Sequence, residues 1–532
     1  MNRRCLFLLL GFCLSIVPLE AAVLNVPGVF PTIQAGVAAA GAGDTVLLAP
    51  GVYAGAGNRN VDFLGKAITV RSSAGPLLTI VNCGGLGRGF ICQSGETAAS
   101  LLAGLTIRNG DAGSDKGGGI YIINASSPRI VDCVIEDCQA VDDGGGAYCS
   151  PDSLPEFSLC TFQRNKGQNG AGAFGPAKFR NCLFTKNDNQ FDIGGGGLYG
   201  PSDVSNCRFI DNTGNDDGGA IRANRPVSIR NCLFVGNRAT GGVGGAIADG
   251  VNSAEVIDCV IRGSWAQRGG GAIWGARRVE RCTIVDNTAQ ENGAGGVATG
   301  TTTDIINCVI ARNTADEDNG GGILIRNGST ATVINCTVTD NEATLGLGGG
   351  IYCEGGAVTT LKNNIVWSNT PTEIVGCPAC GFCITAANPL FVNAAAGDYR
   401  LLPGSPAINA GTPVGAPAAD IDGIPRPCGV GVDIGAYEFC ESLFIRGVCN
   451  LDITFDLADP IAIIIFLFGG GRPFPCEDAC DINDDGGIDI GDVIYAINYL
   501  FLHGPPPPAP YPRCGIDPTR DSLDCRASRA CP

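Results

Sequence analysis

The chain has 532 residues, of which 80 are Gly, about twice the usual share, and 45% are hydrophobic, so this is not the sparse, charged composition of a disordered polypeptide. Asp+Glu number 52 against 35 Lys+Arg, and the formal charge of −17 argues against nucleic acid as a partner, because phosphate binding needs a basic surface. His503 is the one histidine, which argues against Ser–His–Asp or Cys–His catalysis and against a multi-histidine metal site.

Residues 1–21 read as a secretory signal peptide: Arg3 and Arg4 give the positive start, residues 5–17 the apolar stretch, and Leu19-Glu20-Ala21 the small-residue cleavage site. The stretch is too short for a comfortable membrane span. Without Cys5 and Cys13, 25 of the 27 cysteines remain, and export places them in an oxidising compartment. Residues 31–40 then read as a short helix capping whatever follows, and residues 43–53 as the first strand.

A repeat dominates the middle of the chain. Its unit is an apolar residue, a short polar bend, Cys, x, a large apolar residue, x, x, Asn, a polar loop, and a glycine run followed by an apolar residue. Arg180-Asn-Cys-Leu-Phe-Thr-Lys-Asn187 and Ser205-Asn-Cys-Arg-Phe-Ile-Asp-Asn212 are two copies. The cysteines are 133, 160, 182, 207, 232, 259, 282, 308 and 336, with Asn364 next; these nine intervals cover 231 residues, or about 26 each. Cys182 and Phe184 are two apart and share one face of a strand. Phe179, three before the Cys, breaks that period, so a bend lies between, at Asn181, Asn206, Asn231, Asn307 and Asn335, where Asn tolerates left-handed backbone.

Each unit therefore predicts about three short strands and one coil of an all-β solenoid, a right-handed single-stranded parallel β-helix over residues 22–387 with coils about 4.8 Å apart. A second asparagine column, from Asn109, Asn165 and Asn187 to Asn341 and Asn369, is expected to pair side-chain amides along the axis. The cysteine column is open to metal chelation, a disulfide staircase, or use of Cys as a small buried hydrophobe; parallel Cβ vectors favour the last. Cys353, Cys377, Cys380, Cys383, Cys428, Cys440, Cys449, Cys476, Cys480, Cys514, Cys525 and Cys531 are irregular and read as disulfide staples, though Cys377-x-x-Cys380-x-x-Cys383 also has metal-ligand spacing.

Residues 388–440 follow a proline-rich pattern (Asn388-Pro-Leu-Phe, Asp433-Ile-Gly-Ala-Tyr-Glu438) expected to close the solenoid as its C-terminal cap. Over residues 26–440 the chain resembles secreted bacterial right-handed β-helix proteins. Its paired Gly-Gly-Ala-Ile and Phe-x-x-Asn repeats resemble those of polymorphic outer membrane proteins, and the closing segment resembles the end of choice-of-anchor surface proteins. The resemblance implies fold rather than activity.

Composition shifts after Cys440. Asp481-Ile-Asn-Asp-Asp-Gly-Gly-Ile-Asp-Ile-Gly-Asp492 places oxygen ligands at loop positions 1, 3, 5, 9 and 12 (Asp481, Asn483, Asp485, Asp489, Asp492), with the carbonyl of Gly487 at position 7 and Gly486 for the sharp turn, a Ca²⁺ loop followed by a helix over 493–502. A second copy lies 33 residues earlier, with Asn450, Asp452, Asp456 and Asp459 in register and a helix over 460–468 that Asp459 is expected to cap. Val448 and Ile453 replace Asp and Gly there, so that site is expected to be weak or empty. Two such loop–helix units, over residues 441–504, resemble a type I dockerin module, which implies a small α-helical calcium-binding domain and a cohesin-like or cell-surface protein partner. Positions 10 and 11, often Ser/Thr in that family, are here Leu457-Ala458 and Ile490-Gly491. Residues 505–532 read as a stiff Pro/Cys-rich extension.

Parallel β-helices also occur as polysaccharide-cleaving enzymes. Carboxylates recur before the glycine runs at Asp142, Asp143, Asp216, Asp217, Asp316 and Asp318, and stacking aligns them as an acidic stripe. Asp142-Asp143 and Asp216-Asp217 are the candidate catalytic pairs, but the Gly-His-Gly and Arg-Ile-Lys motifs of polygalacturonases are absent, and no residue is assigned a catalytic role. The reading is a secreted or cell-surface β-helix protein with a calcium-stabilised dockerin-like module, binding or structural in role, with polysaccharide as a candidate ligand. The alternative is a polysaccharide lyase or glycoside hydrolase attached by that module.

Overall fold

The computed structural model describes residues 21–440, 443–450, 452–471, 474–515, and residues 517, 519, 523, 525 and 531, with the side chains of 190–193 excepted. The expected signal peptide lies outside the described residues apart from Ala21. No described helix is long and apolar enough to cross a membrane.

The 26-residue repeat folds as parallel coils. In one coil the strands are Lys178–Arg180, Leu183–Thr185, Asp188–Gly194 and Leu198–Tyr199. Asn181 (φ 53°) turns the chain between the first two and Lys186 (φ 53°) between the next two. The bends at Asn206, Asn231, Asn307 and Asn335 are likewise left-handed, at φ 54°, 53°, 50° and 50°. Each strand pairs in parallel with its counterpart one coil on, as Phe179 with Val204, Phe184 with Phe209 and Leu198 with Ile221. Four sheets result, named here in order around the coil: A, of 14 strands; B, of 13; C, of 8; and D, of 13.

Sheet C, from Lys166–Asn169 to Glu342–Ala343, is an addition to the three strands expected. Its inward residues are mostly small, with Ala239, Ala266, Ala289 and Ala315 all fully buried, and its outward ones are polar apart from Trp265. A two-residue strand of that kind leaves no hydrophobic period to read.

Like residues stack on like inside the solenoid. Phe162, Phe184, Phe209 and Phe234 pack face to face with centroids 4.7, 4.9 and 4.9 Å apart. The glycine runs sit where backbone passes backbone: a Cβ on Gly146 would lie 2.3 Å from the carbonyl oxygen of Gly172. Amides of the second asparagine column bond along the axis, with Asn187 Nδ2 donating to Asn212 Oδ1 at 2.9 Å and to the Phe162 carbonyl at 2.9 Å, and Asn212 Nδ2 to Asn237 Oδ1 at 3.0 Å. Asn109 does not belong to this column. It is the left-handed bend residue (φ 54°), its side chain is exposed, and Gly110 takes the in-register place, where its N–H meets Cys138 Sγ at 3.4 Å. Cys138 and Ser264 fill the rungs where the asparagines lapse.

The nine ladder cysteines are buried free thiols, each turned toward backbone carbonyls, as Cys207 Sγ is to Ser205 O at 3.3 Å and to Phe179 O at 3.6 Å. Burial pushes the Cys160, Cys259 and Cys308 thiols well up from their ordinary value. Of the expected staples, five form: Cys353–Cys377, Cys380–Cys383, Cys428–Cys440, Cys476–Cys525 and Cys514–Cys531. Cys449 and Cys480 do not. Both are buried free thiols in the core of the C-terminal module, where they act as small hydrophobes.

Helix α1 (Ile33–Ala39) starts at Thr32, whose hydroxyl accepts the Ala35 N–H at 3.2 Å, and buries Ile33, Gly36 and Val37 over the first coil. Sheet A begins earlier than expected, at Val23–Val26. The segment 388–440 is not confined to the end of the solenoid. It runs along the outer face of sheet B, where Tyr399 and Ala436 pack on Val285, Val309 and Ala311. Asn335 Nδ2 donates to the Asp433 carbonyl at 3.0 Å and Asn307 Nδ2 to the Ala419 carbonyl at 2.6 Å. Its own centre is the buried pair Arg426–Glu438 at 2.5 Å.

Beyond it, α2 (Ala458–Gly469) and α3 (Ile490–Leu502) pack around Cys449, Ile463, Cys480, Ile482, Val493 and Ala496. The described part of the tail folds back on this pair rather than extending from it. Tyr511 packs on Phe455 and Tyr499, and its hydroxyl lies 2.8 Å from that of Tyr499.

Candidate functional site

Three sets of residues carry chemistry: the loops before α2 and α3, the carboxylates beside sheet C, and an aromatic column on sheet D. In the second loop Gly486 turns with φ 89°, and Asp481 Oδ2 accepts its N–H at 2.8 Å while Asp481 Oδ1 accepts that of Asp485 at 3.1 Å. Asp492 reaches back from the first turn of α3. Its Oδ1 accepts the N–H of Ile482 at 2.7 Å and of Asn483 at 3.2 Å, and its Oδ2 that of Asp489 at 2.8 Å. Asp481 and Asp492 are fully buried, whereas Asn483 and Gly487 are half-buried and Asp485 and Asp489 exposed. Burial pushes Asp492 up to about 6 against the backbone bonds that favour its charge, and the Asp481 carboxylate adds to the rise.

The first loop repeats this frame. Asp459 Oδ1 accepts the N–H of Cys449 at 2.7 Å and of Asn450 at 3.1 Å, and Oδ2 that of Asp456 at 2.8 Å. Asp459 thus faces into the loop, and the residue in the helix-capping position is Leu457, which has no side-chain cap bond. Asn450 and Asp452 keep their places, with Asn450 Oδ1 accepting the Asp452 N–H at 3.0 Å. Val448, in the place of Asp481, is buried in the apolar interior, and Ile453, in the place of Gly486, is 71% exposed. Among the described residues no three or more His, Cys, Asp or Glu side chains meet in the arrangement of a metal site.

Arg446, fully buried, ties the second loop to the tail. It pairs with Asp484 at 2.9 Å and Asp517 at 2.6 Å, and donates to the Asp481 carbonyl at 2.7 Å. The sequence held no periodic signal for this residue. A lone Arg beside an acidic, cysteine-rich segment was the one hint.

The acidic positions before the glycine runs share one edge of the solenoid but do not form an unbroken stripe. Parallel pairing places Asn169 and Gly194 on the coils between Asp143 and Asp217, a separation of about 14 Å. The two doublets are therefore too far apart to act together as one glycosidase carboxylate pair. Asp143 is engaged by Lys116 Nζ at 3.0 Å and by Asn169 Nδ2 at 2.8 Å, and Asp142 lies 3.6 Å from the same ammonium. Asp217 pairs with Arg222 at 3.2 Å and accepts the Val243 N–H at 3.0 Å. Asp216 lies beside it, half-buried against Gly242. Asp316 is half-buried, and Asp318 accepts from Asn319 Nδ2 at 2.8 Å.

The outward column of sheet D was missed by sequence reasoning. Tyr121, Tyr148, Phe174 and Tyr199 occupy successive coils with their rings stacked at 5.6, 5.3 and 5.0 Å; Tyr121, Phe174 and Tyr199 are half-buried and Tyr148 is buried. Arg88 lies 4.4 Å over Tyr121 and Lys116 5.0 Å over Tyr148. The available signal was the aromatic residue recurring just after the glycine run, as in Gly-Gly-Ile-Tyr121 and Gly-Ala-Tyr148.

No curated protein matches the chain. Among solved structures it is similar to the Azotobacter vinelandii mannuronan C-5 epimerase AlgE6 A-module, at 14% identity over 67% of this chain and 94% of that chain with a TM-score of 0.34. It is also similar to pectate lyase Pel9A, at 15% identity over 78% of this chain and 96% of that chain with a TM-score of 0.28. The family described as right handed beta helix region matches residues 56–199, 145–310 and 241–394, together more than half of the sequence. With those residues forming the stacked coils of sheets A to D, the chain belongs to the right-handed β-helix family.

Proposed function

We propose that the protein is an exported binding scaffold: a rigid β-helix that holds a polysaccharide along its surface, joined to a calcium-stabilised attachment module. The observation that carries this reading is the engagement of the candidate carboxylates. Asp143 and Asp217 are each matched to a cation and an amide donor, which leaves neither as a free acid or base. The half-buried rings of Tyr121, Phe174 and Tyr199 on sheet D, with Arg88 beside Tyr121, are the proposed contact surface for sugar. Five disulfides support an oxidising, extracellular destination.

The second loop fits Ca²⁺ by its donor chemistry. Asp481, Asn483, Asp485, Asp489, Asp492 and the Gly487 carbonyl are all hard oxygens, and the buried carboxylates of Asp481 and Asp492 raise one another's cost of ionisation. Bound there, the ion would supply charge neutralisation and fix the start of α3. The first loop, without a carboxylate at position 448, is proposed to stay weak. In this role the module attaches the scaffold to a surface-borne, cohesin-like protein partner. The test is retention of the mature chain on a polysaccharide panel, with product release measured in parallel. Retention without cleavage is expected, and a Tyr121→Ala/Tyr199→Ala variant should lose it.

A further inference from the structure

The buried guanidinium of Arg446 directs every nitrogen at the second loop or the tail. Nη1 donates to the carbonyls of Asp481 at 2.7 Å and Asp478 at 3.2 Å, at the start of the loop. Nη2 meets two carboxylates: Asp484 Oδ1 at 2.9 Å, inside the loop where the chain turns left-handed (φ 62°), and Asp517 Oδ1 at 2.6 Å, in the tail. Nε donates to the Ala509 carbonyl at 3.0 Å. The Thr519 hydroxyl lies within hydrogen-bond distance of both Asp484 and Asp517. Paired backbones of Phe444 and Gly515, at 2.9 and 3.0 Å, and the Cys476–Cys525 bond hold the tail beside Arg446. None of this comes from the duplication of the loops. At the matching places thirty-three positions away, Ala479 stands for Arg446 and Leu451 for Asp484.

We infer that Arg446 and Asp517 are positioning residues for the second loop, and that docking of the tail sets how tightly this loop takes Ca²⁺. The inference rests on the calcium reading of Asp481 to Asp492. Asp481, Asn483 and Asp485, three of the ligands in that reading, lie on the stretch that Arg446 fixes at Asp481 and Asp484. Freedom removed by the clamp is freedom the loop need not lose on binding.

Charge acts in the same direction. A lone guanidinium beside the loop would repel the ion, and the Asp517 carboxylate offsets it. Asp484 alone could not, because it belongs to a loop that already carries Asp481, Asp485, Asp489 and Asp492. The coupling is thermodynamic and therefore reciprocal: whatever the docked tail adds to calcium affinity, bound calcium adds to tail docking.

Calorimetric titration of the mature full chain with calcium chloride tests this, together with hydrogen exchange at the Phe444 and Gly515 amides, which reports tail docking. Asp517→Asn should raise the calcium dissociation constant by about fivefold or more, and Thr519→Val, which leaves every charge in place, by about threefold. Calcium should slow exchange at both amides in the parent, and slow it less in Asp517→Asn. A tail that only braces the module gives faster exchange in Asp517→Asn with an unchanged dissociation constant, and that result overturns the inference while the calcium reading stands. Exchange in the parent that is indifferent to calcium overturns it equally. If Asp517→Asn loses the far-ultraviolet spectrum of the parent, Thr519→Val decides, and a dissociation constant equal to the parent's overturns the inference. A parent that gives no calcium heat up to about 1 mM overturns the calcium reading itself, and this inference with it.

Discussion

Asp459 and Asp492, thirty-three positions apart in sequence, make the same three bonds: each Oδ1 gathers two consecutive backbone N–H groups at the start of its loop, and each Oδ2 takes the N–H three residues before it. The duplication preserves the frame of both loops, while the first has lost the carboxylate at 448 and the glycine at 453. The loops should therefore differ in metal binding far more than in shape. Calorimetric titration is expected to find one Ca²⁺ site of useful affinity. Asp481→Asn should weaken it by about two orders of magnitude, and Asp452→Asn should leave it within about threefold.

The asparagine column is expected to dominate the stability of the middle coils. Asn212 accepts the Asn187 N–H and side chain and donates to Phe184 O and Asn237 Oδ1, all in the buried interior. Asn212→Leu leaves those partners without water to replace the lost bonds, at a cost of about 2–4 kcal/mol. Denaturant unfolding followed by circular dichroism measures it, and Asn109→Leu, at an exposed bend outside the column, should cost much less.

The flank segment should respond to pH through Asp433. This carboxylate accepts the N–H of Asn409 at 2.6 Å and of Phe439 at 2.5 Å, yet burial pushes it up to about 6. Its folded pKa lies above the unfolded one, so its contribution is full below about pH 4 and is lost as pH rises through about 6. The loss is bounded at about 3 kcal/mol. Urea midpoints of the parent should fall across that window relative to Asp433→Asn. Arg426→Met, which strips buried Glu438 of its partner, should cost about 3–5 kcal/mol at neutral pH.

The ladder thiols should be chemically silent in the folded protein. All nine are buried, so a reagent in solvent does not reach their sulfurs while the coils stay stacked. Mass spectrometry after iodoacetamide treatment should find the nine ladder positions unmodified until denaturant is added, and then all nine alkylated.

The fold was legible because one constraint repeats. Stacking forces the same residue type at the same place in every coil, and Cys182, Phe184, Asn187 and the bend at Asn181 are each read from recurrence rather than propensity. What recurs weakly was lost. Sheet C needs only a small inward residue on most coils, and Asn109 looks like a column member until it is found to be the bend itself, with Gly110 in the column. Contacts made once, such as Arg446 to Asp484 or Asn335 to the flank segment, have no repeat to announce them. For the candidate site, the order of oxygen donors in the second loop was readable from spacing. The cation that occupies Asp143 comes from the preceding coil, and only the fold brings Lys116 there, whereas Arg222 reaches Asp217 from the next strand of the same coil.

Scaffold and enzyme part most cleanly when the purified mature chain is incubated with a panel of acidic and neutral polysaccharides, with retention and chain scission followed in the same samples. Saturable retention with no new reducing ends or unsaturated products is the expected result. Scission that disappears in Asp217→Asn would contradict it.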